Sequence, residues 1–505
     1  MKIGPFKLTW QKKAEPARSA TGAIGKHHQK IAILRSFAAA KVDNIFPATA
    51  GSPQGINEEL YRSNSRMRQR AREEANNNEY VARALHLIRR NVIGPSGIML
   101  QPDFVSDQTG QRDERDIDLV SQEWADWCRP ANCDVTGRMS LKEMSSLFME
   151  TVFRDGECFI RLVRGWRGNR WRFAMQVLDA DFFDENDNGT AANGNTLIMG
   201  IELDQWNRPV AYNLRKSEKE TLHQAYARRH HAERIPAEEM IHSFFSRRAG
   251  QVRGYTSFHA AFGRIHQLKG YEEAEVVAAR VGAEKMGFII SPDGEGYDGE
   301  ETAADGIKEM RSEPGGWEQL PEGTTIEKYD PDHPNTALPA FVKSMLRGFS
   351  SGIGIGYNDI ASDLEGVNYS SLRHGSLVDR AGWRELQAFV IEKFLDPIYR
   401  AWLEMSILSG ALPFPAARIR KFQRVKWEPR GFEWVDPKKE SESDRENYRL
   451  GTTSITEVLA RRGTNPEKVF RERQAEKKLA EKYGVPLDSG LSQPSSPLDG
   501  DQDTE

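Results

Sequence analysis

Apolar residues recur every three or four positions along several long stretches of the chain, which is the spacing of one face of an α-helix. The clearest stretch begins at Ser257, a predicted N-cap, and ends near Met286. Its apolar positions are Phe258, Phe262, Ile265, Leu268, Tyr271, Ala274, Val277 and Val281. At 1.5 Å per residue this helix would span roughly 40 Å. Such a helix either crosses one domain core or packs against copies of itself.

Other stretches also have helical spacing. All of them are shorter than this one except the stretch over 369–409. They predict helices over 57–76, 78–92, 113–128, 140–154, 336–351, 369–409, 438–450, 454–462 and 466–482. Ser140 and Glu143 have the spacing of a capping box at the start of the fourth helix. Gly94 and Pro95 are expected to end the second. Pro397 predicts a kink in the helix over 369–409.

Alternating patterns between 156 and 245 predict strands instead of helices. These strands cover 158–163, 171–177, 199–203, 210–214 and 240–244, and 186–195 is predicted to be an open loop. A second change of pattern occurs at 287–330, where Phe288–Ile290 and Thr325–Tyr329 are strand-like and flank a predicted polar helix at 301–312. The fold class is therefore α+β, mainly helical, with a small insert between two long antiparallel helices.

Composition limits the function classes that remain open. A chain of 505 residues exceeds one compact core, so two or more domains are expected. The net charge of −4 argues against a protein that coats DNA by neutralising phosphates. Residues 1–55, with nine Lys/Arg against two acids, predict a disordered basic arm, and 485–505 predict a disordered acidic tail. No apolar run is long enough to cross a membrane.

Neither the spacing of the cysteines nor the acidic loop that begins at Asp184 predicts a metal site. Cys128, Cys133 and Cys158 match no common zinc pattern and are expected to be free thiols. The loop that begins at Asp184 starts like a calcium-binding EF-hand loop, but Asn195 stands where the bidentate acid is needed. We expect a flexible turn there, and no metal or cofactor.

The glycine run Gly352–Gly356 lacks the spacing of a dinucleotide fingerprint and follows a predicted helix. The sequence contains no P-loop, no G-x-S-x-G and no H-E-x-x-H motif. One enzymatic alternative stays open. Asp359, Asp363 and Glu365 resemble the carboxylates with which a metal-dependent DNA-processing enzyme holds its ions.

A resemblance covers roughly residues 60–480. The segment Tyr329–Leu377 combines a Pro-punctuated turn, a helix, the glycine run, an acidic loop and a second helix that starts after Gly366. It resembles the core of the lambda family of phage portal proteins. Seven further blocks resemble that family in the expected order: Glu79–Gly94, Asp155–Leu162, Gln176–Asp181, Gly200–Tyr212, Ile235–His242, Gly250–Gly254 and Trp434–Glu440.

The resemblance implies a portal fold with a wing, two long stem helices, a small α/β clip and a helical crown. After the arm at 1–55, the implied order is wing 56–256, first stem helix 257–286, clip 287–334, second stem helix 335–352, tunnel-loop region 353–368, long wing helix and return 369–435, crown 436–484, and the tail at 485–505.

The resemblance also implies a function without turnover chemistry. Portal proteins form homo-oligomeric rings, usually of twelve subunits, at one capsid vertex of the virion, after assembly in the host cytoplasm. Double-stranded DNA passes through the ring without sequence-specific contacts. Implied partners are the terminase, the major capsid and scaffold proteins, and the head-completion or connector proteins. A membrane is not among them.

By the same resemblance, Asp359, Asp363, Glu365 and Asn368 are candidate residues of the tunnel loop, where acids repeated around a ring would repel phosphates. Lys343 and Arg347 lie one helical turn apart on the second stem helix. Two alternatives stay open for them. They contact phosphates in the channel, or they form ion pairs with Glu272 and Glu275 of the first stem helix.

Overall fold

A computed structural model describes most of the chain between residues 55 and 485. The described ranges are 55–106, 110–215, 232–284, 288–290, 301–302, 308–309, 325–327, 337–432, 437–464 and 466–485. Contacts divide the chain into two compact units, Met1–Glu59 and Leu60–Glu505. Nearly all of the predicted basic arm and acidic tail, and most of the predicted clip, lie outside the described residues.

The N-terminal helices follow the sequence pattern closely. They are α1 (Ile56–Asn77), α2 (Glu79–Ile88) with a π-helical extension over Arg89–Ile93, α3 (Glu114–Trp127), the short α4 (Pro130–Cys133) and α5 (Leu141–Arg154). Gly94 ends the π-helical extension with a φ of 74°. The capping box of α5 is confirmed, because Ser140 and Glu143 each bond the backbone N–H of the other.

Two antiparallel sheets follow α5. The first has the order β3 (Phe173–Leu178), β2 (Glu157–Arg164), β9 (Met240–Phe244). The second has five strands in chain order: β4 (Gly189–Thr190), β5 (Thr196–Ile198), β6 (Ile201–Leu203), β7 (Pro209–Arg215) and β8 (Ala232–Pro236). The prediction of an open loop over 186–195 was therefore wrong in part, since β4 pairs with β5. A separate pair joins β1 (Met99–Pro102) to β14 (Val425–Glu428).

The insert between the long helices contains strands where a helix was predicted. β10 (Phe288–Ile290) pairs with β13 (Thr325–Glu327), as the pattern suggested. The prediction of a helix over 301–312 was wrong, because β11 (Glu301–Thr302) and β12 (Lys308–Glu309) form an antiparallel pair. In the sequence, Gly306 stands between these two strands, and glycine lowers helix propensity by about 1 kcal/mol relative to alanine.

The two long helices flanking the insert are antiparallel neighbours. They are α6 (Phe262–Glu284) and α7 (Leu338–Ile353). The ring of Phe258 stacks on Phe349, with centroids 6.2 Å apart, and Tyr271 lies 4.8 Å from Phe341. The predicted start of α6 at Ser257 was five residues too early. A turn precedes the helix there, in which Thr256 Oγ1 accepts from the Phe258 amide at 3.1 Å.

The C-terminal helices complete the fold. They are α8 (Tyr357–Ala361), α9 (Tyr369–Val390), a π-helical turn over Ile391–Leu395, α10 (Asp396–Leu408), α11 (Ile419–Phe422), α12 (Pro437–Arg449), α13 (Ile455–Arg461) and α14 (Pro466–Tyr483). The predicted kink near Pro397 corresponds to the π-helical turn. Pro397 has no N–H for the Lys393 carbonyl four residues earlier, and Ser243 Oγ donates to that carbonyl at 3.1 Å.

The core lies between α2, α3, α5, the β2–β3 strands and the α9–α10 helix. An aromatic cluster occupies it, with the rings of Trp124 and Trp127 5.0 Å apart and Trp124 also 5.0 Å from Trp402. Aromatic side chains on the faces of α9 and α10 and in the π-helical turn between them also serve packing. Trp383, Trp402 and Phe394 are buried, and Phe389 packs against the same core.

Candidate functional site

The α6–α7 pair is buried at one end and exposed at the other. Ile265, Leu268 and Phe349 are in the core. Farther along, Val276 and Val277 are 59% and 57% exposed, and Phe341 is 42% exposed. Neighbouring positions on a helix are about 100° apart, so Val276 and Val277 give this end an apolar surface on more than one side. Contiguous exposed apolar surface is typical of a protein–protein contact.

The glycine run at the end of α7 serves packing and helix termination. A Cβ at Gly352 would lie 3.2 Å from the Ala261 Cβ, so the absent side chain permits close packing at the base of α6. Gly354 has a φ of 73°, and the amides of Gly354 and Ile355 both donate to the Ser350 carbonyl. This is a helix C-cap. It is consistent with the prediction that Gly352–Gly356 is not a nucleotide-binding loop.

Asp359 lies in α8 on the side that faces α2. Its carbonyl accepts from Arg83 Nε at 3.1 Å. Burial raises the pKa of the Asp359 carboxyl, although Arg83 and Arg90 act in the opposite direction. The carboxylate of Asp379 on α9 accepts the N–H of Gly356, the N-cap of α8. Half-burial of Asp359 distinguishes it from an acid held out in solvent.

Asp363 is the centre of a compact polar cluster. Its Oδ2 lies 2.8 Å from Lys343 Nζ and accepts from the Tyr357 hydroxyl at 2.7 Å. Its Oδ1 accepts from the Glu365 amide at 2.9 Å. Lys343, Tyr357 and this amide hold the pKa of Asp363 well below its usual range. The carboxylate is therefore ionised and fixed in orientation at neutral pH.

Among the described residues, Lys343 does not form the ion pair with Glu272 that was one of its two alternatives. Lys343 reaches Asp363 instead, and Glu272 accepts from the Tyr80 hydroxyl at 3.0 Å. The guanidinium of Arg347 lies 5.6 Å from the Tyr357 ring, within range of a cation–π contact.

The six predicted residues therefore lie in three places: around Tyr357, at the contact of α8 with α2, and in the exposed loop before α9. Lys343, Arg347 and Asp363 meet around Tyr357, a residue that the sequence prediction missed. Its signal was an aromatic residue directly between a glycine run and an acidic loop. Glu365 is exposed. Asn368, also exposed, caps α9 by accepting from the Ser371 amide at 2.8 Å.

The acids are not arranged as a metal centre. Among the described residues, no group of three His, Cys, Asp or Glu side chains could hold a metal ion. In the loop that resembles an EF-hand, Asp184 pairs with Arg215, and Asp187 accepts from Asn213 at 2.8 Å. The alternative of a metal-dependent DNA-processing enzyme therefore finds no support in this part of the chain.

The three cysteines are free thiols. Burial raises the pKa of all three, to about 12 for Cys133. They are therefore protonated at neutral pH and poor nucleophiles. None of the helices over the described ranges is long and apolar enough to span a bilayer.

Comparison with known proteins identifies relatives over most of the chain. Residues 47–387 match the family described as "Phage portal protein, lambda family". The chain is 33% identical over 489 residues to a probable portal protein of Halomonas phage phiHAP-1, with 95% of this chain and 92% of that protein aligned. It is 20% identical over 263 residues to portal protein B of Escherichia phage lambda, which covers 47% of this chain and 49% of the relative.

Two solved structures are similar at lower levels. The neck of a native gene transfer agent particle, computed with C12 symmetry, has a TM-score of 0.39 and 12% identity, over 84% of this chain and 98% of that chain. The neck of an empty particle, computed with C6 symmetry, has a TM-score of 0.40 and 13% identity over the same shares.

Proposed function

The chain belongs to the lambda family of phage portal proteins, and from this premise we propose that it assembles into a ring at one vertex of the capsid. The ring is the conduit through which double-stranded DNA enters during packaging and leaves during ejection. We expect twelve subunits, located in the virion after assembly in the host cytoplasm.

The observation that carries the ring is the exposed end of the α6–α7 pair. Exposed Val276, Val277 and Phe341 lie on a two-helix layer whose other end is fixed in the core. A closed ring needs two different surfaces on each subunit that fit one another. Apolar side chains on more than one side of the layer supply such surfaces, because each copy then packs between two neighbours.

The remaining parts of the proposal follow from the family and from chain order. The segment 287–334 corresponds to the clip, which would contact the terminase and later the head-completion or connector proteins. Residues 56–256 and 369–435 would form the wing, and 436–484 the crown. The major capsid and scaffold proteins are further expected partners, and the arm at 1–55 is a candidate contact for them.

Within the ring, the loop 353–368 would face the channel. Exposed Glu365 and the ionised Asp363 would repel phosphates and keep the duplex centred without gripping it. Lys343 is paired with Asp363 in the isolated chain. We therefore assign it to orienting that carboxylate in preference to direct binding of phosphate.

Light scattering after size exclusion, together with negative-stain images of the purified full-length protein, tests the ring. We expect a mass many times that of the 57.2 kDa chain and a ring with a central hole. A double variant, Val276→Asp with Val277→Asp, should reduce the particle to small species, since it places carboxylates in the contact surface.

Leu408→Asp is the matched control, because Leu408 is 67% exposed outside the α6–α7 pair. It should leave the ring intact, and circular dichroism should show that both variants are folded. A wild-type monomer that cleaves DNA in the presence of Mg²⁺ would contradict the proposal and favour the enzymatic alternative.

A further inference from the structure

The hairpin that joins β2 to β3 carries a local excess of positive charge. From Cys158 to Leu178 the sequence contains no aspartate and no glutamate, but it contains the five arginines Arg161, Arg164, Arg167, Arg170 and Arg172. The whole chain has the opposite balance, with 74 acidic and 70 basic side chains. A basic segment in a slightly acidic protein is a candidate contact for an anionic partner.

Three of these arginines bind acceptors on neighbouring elements and help to hold the hairpin in place. Arg161 binds Glu233, Arg164 binds the Glu238 carbonyl and lies near Glu404, and Arg170 binds Glu123 and Asp126. The other two, Arg167 and Arg172, are exposed at the tip. Among the described residues, neither of these two side chains has a hydrogen bond or an ion pair. Their guanidinium groups are therefore available to a partner.

The tip of the hairpin is held in one conformation. The Asn169 side chain donates to the carbonyls of Asn132 and Phe173, at 2.7 Å each. Trp171 is buried, and its indole N–H donates to Glu123 at 2.9 Å. Because these contacts fix the tip before any ligand arrives, binding costs less conformational entropy than it would on a flexible loop.

Arg172 has a backbone conformation that is unfavourable for arginine. Its φ is 56°, in the left-handed region where residues other than glycine, asparagine and aspartate are strained. The Arg172 carbonyl accepts from the Trp166 amide at 3.0 Å across the hairpin, so relaxation of the backbone would break this bond. Strained residues are concentrated at functional sites. The strain is an observation independent of charge that points to a use for this side chain.

We propose that the tip of the β2–β3 hairpin binds the phosphate backbone of double-stranded DNA outside the channel, through Arg167 and Arg172. Guanidinium forks bind phosphate oxygens in bidentate geometry, and phosphate contacts carry no sequence information. The choice of DNA over an acidic protein segment rests on the proposed function, because packaging and ejection bring the duplex to the ring. Repetition around the ring would combine many weak contacts.

The probe is a covalently closed circular duplex, added to preassembled rings of the full-length protein. A closed circle cannot be threaded through a closed ring, so its binding reports on the outer surface. Gel shifts measure the affinity at several salt concentrations. Arg167→Gln with Arg172→Asn should weaken binding at least about fivefold near 0.1 M salt. For each chain in contact, the slope of log K against log salt should become shallower by about 1.8, which is two phosphates at about 0.9 each.

Arg66→Gln with Arg208→Gln is the matched control, because it removes the same charge at two exposed positions outside the hairpin. It should leave the affinity within about twofold of the wild type. Urea unfolding should show that Arg172→Asn is at least as stable as the wild type, since asparagine adopts a left-handed conformation more readily. A purely structural role for Arg172 would instead lower the stability.

Unchanged binding of the circle by the hairpin variant would overturn the proposal. So would an equal loss in the matched control, because the effect would then come from net charge alone. A polyglutamate peptide that loses its binding in the hairpin variant, while the circle keeps its own, would assign the tip to an acidic protein. Light scattering tests ring formation separately. If no ring forms, the same circle is titrated against the chain as purified, so the hairpin is judged independently of portal assembly.

Discussion

At the scale of single residues, the junction between α5 and β2 depends on the absence of one side chain. Gly156 has a φ of +98°, and a Cβ there would lie 2.2 Å from the backbone carbon of Tyr255. Across the same contact, a Cβ at Gly254 would lie 2.2 Å from the Gly156 carbonyl oxygen. The two backbones touch, and no rotamer change relieves a clash with backbone atoms.

Gly156→Ala should therefore destabilise the protein by several kcal/mol, of the size associated with severe steric strain in a packed site. The control Gly165→Ala separates the cost of the steric clash from the cost of a positive φ. Gly165 also has a positive φ, +75°, but no atom of the described residues lies within 4 Å of its Cβ position. This substitution should therefore cost only about 1–2 kcal/mol. Urea unfolding measures both. Equal losses would show that the contact with Tyr255 is not the cause.

A buried ionic group behind this junction makes stability depend on pH. Glu157 is fully buried and lies 2.6 Å from Arg253 Nη2 and 3.0 Å from His242 Nε2. Burial raises the pKa of Glu157, but Arg253 and His242 outweigh it and hold this pKa far below its usual range. Burial lowers the pKa of His242, and Arg253 adds to that effect, while Glu157 opposes it.

The folded state keeps His242 neutral. Its contribution to the free energy of unfolding is therefore complete above the pKa of histidine in the unfolded chain, about 6.5. It is lost as the pH falls below that value and the unfolded chain takes up a proton. We expect the free energy of unfolding, measured in urea between pH 8 and pH 5, to fall below pH 6.5. Glu157 adds a second loss only below about pH 4.3.

His242→Gln should reduce the slope between pH 6.5 and pH 5. His259 contributes a slope of the same sign, since burial also lowers its pKa, so the slope should shrink without vanishing. His266→Gln is the control, because this side chain is exposed. An unchanged slope with His242→Gln would contradict the assignment.

At the scale of elements, the break between α9 and α10 shows how one proline is accommodated. Ser243 on β9 is buried, and its hydroxyl donates to the Lys393 carbonyl that Pro397 cannot serve. Ser243→Ala should cost about 1–3 kcal/mol, the penalty for a buried carbonyl without its partner.

In a Pro397→Ala background the amide of residue 397 becomes available to that carbonyl. The cost of Ser243→Ala should then fall below about 1 kcal/mol, and a double-mutant cycle measures the difference. Ser146→Ala serves as the control, since this half-buried hydroxyl donates to the Lys142 carbonyl of its own helix. Full additivity of the two changes would show that Ser243 does not replace the missing amide.

The helix α1 is attached mainly by charge. Arg68 is buried and bonds Asp181 at 2.8 Å and Glu185 at 3.0 Å. Arg72 reaches Asp155 at 2.8 Å and Asp179 at 2.7 Å. The stripe of α1 that faces the fold therefore carries guanidinium groups in addition to the buried Leu60 and Ala71.

Arg68→Leu should cost about 3–5 kcal/mol, because it leaves buried carboxylates without their partner. Hydrogen exchange of residues 60–77 should accelerate in this variant. Arg66→Leu changes the same charge at an exposed position of the same helix and should cost less than about 0.5 kcal/mol. Equal exchange rates in the two variants would argue against docking through Arg68.

The sequence predicted the long helices well because periodicity, caps and glycines act within a few residues, as Ser140 and Glu143 illustrate. It missed the pair β1–β14, because Met99 and Glu428 are 329 positions apart and each strand has only four residues. The helix predicted over 301–312 failed for a different reason, because Glu301 and Thr302 pair with residues only six to eight positions away. Pairing with a neighbouring strand outweighed weak local propensity there.

The residues of the candidate site were chosen from the sequence, but the sequence did not show which of them contact one another. One of the two alternatives for Lys343 was an ion pair with an acid on the adjacent helix α6. That acid, Glu272, is instead engaged by Tyr80 on α2, 192 positions earlier. A single sequence shows the order of charged residues, but which ones meet depends on how α2, α6 and α8 pack together.

At the scale of the whole molecule, the proposed ring would repeat the 353–368 loop around one axis. The charges of the carboxylates in each copy of the loop would then add up around the channel. Asp359→Asn, Asp363→Asn and Glu365→Gln together remove three carboxylates from each subunit and release Lys343 from its partner. The channel should then attract phosphates. We expect DNA packaging or retention in assembled particles to change, and the effect to weaken as salt screens the charges. Ring assembly should survive, because the apolar surface of α6 and α7 is untouched.

Two comparison variants separate the contributions to this effect. Glu365→Gln alone removes an exposed charge and leaves the Lys343–Asp363 pair intact, so it should give a smaller change of the same sign. Glu392→Gln makes the same charge change at an exposed position on the turn between α9 and α10 and should behave as the wild type. Packaging and retention that stay unchanged in the triple variant, with rings intact, would show that these acids do not act on the DNA. The channel would then have to repel the duplex through other side chains.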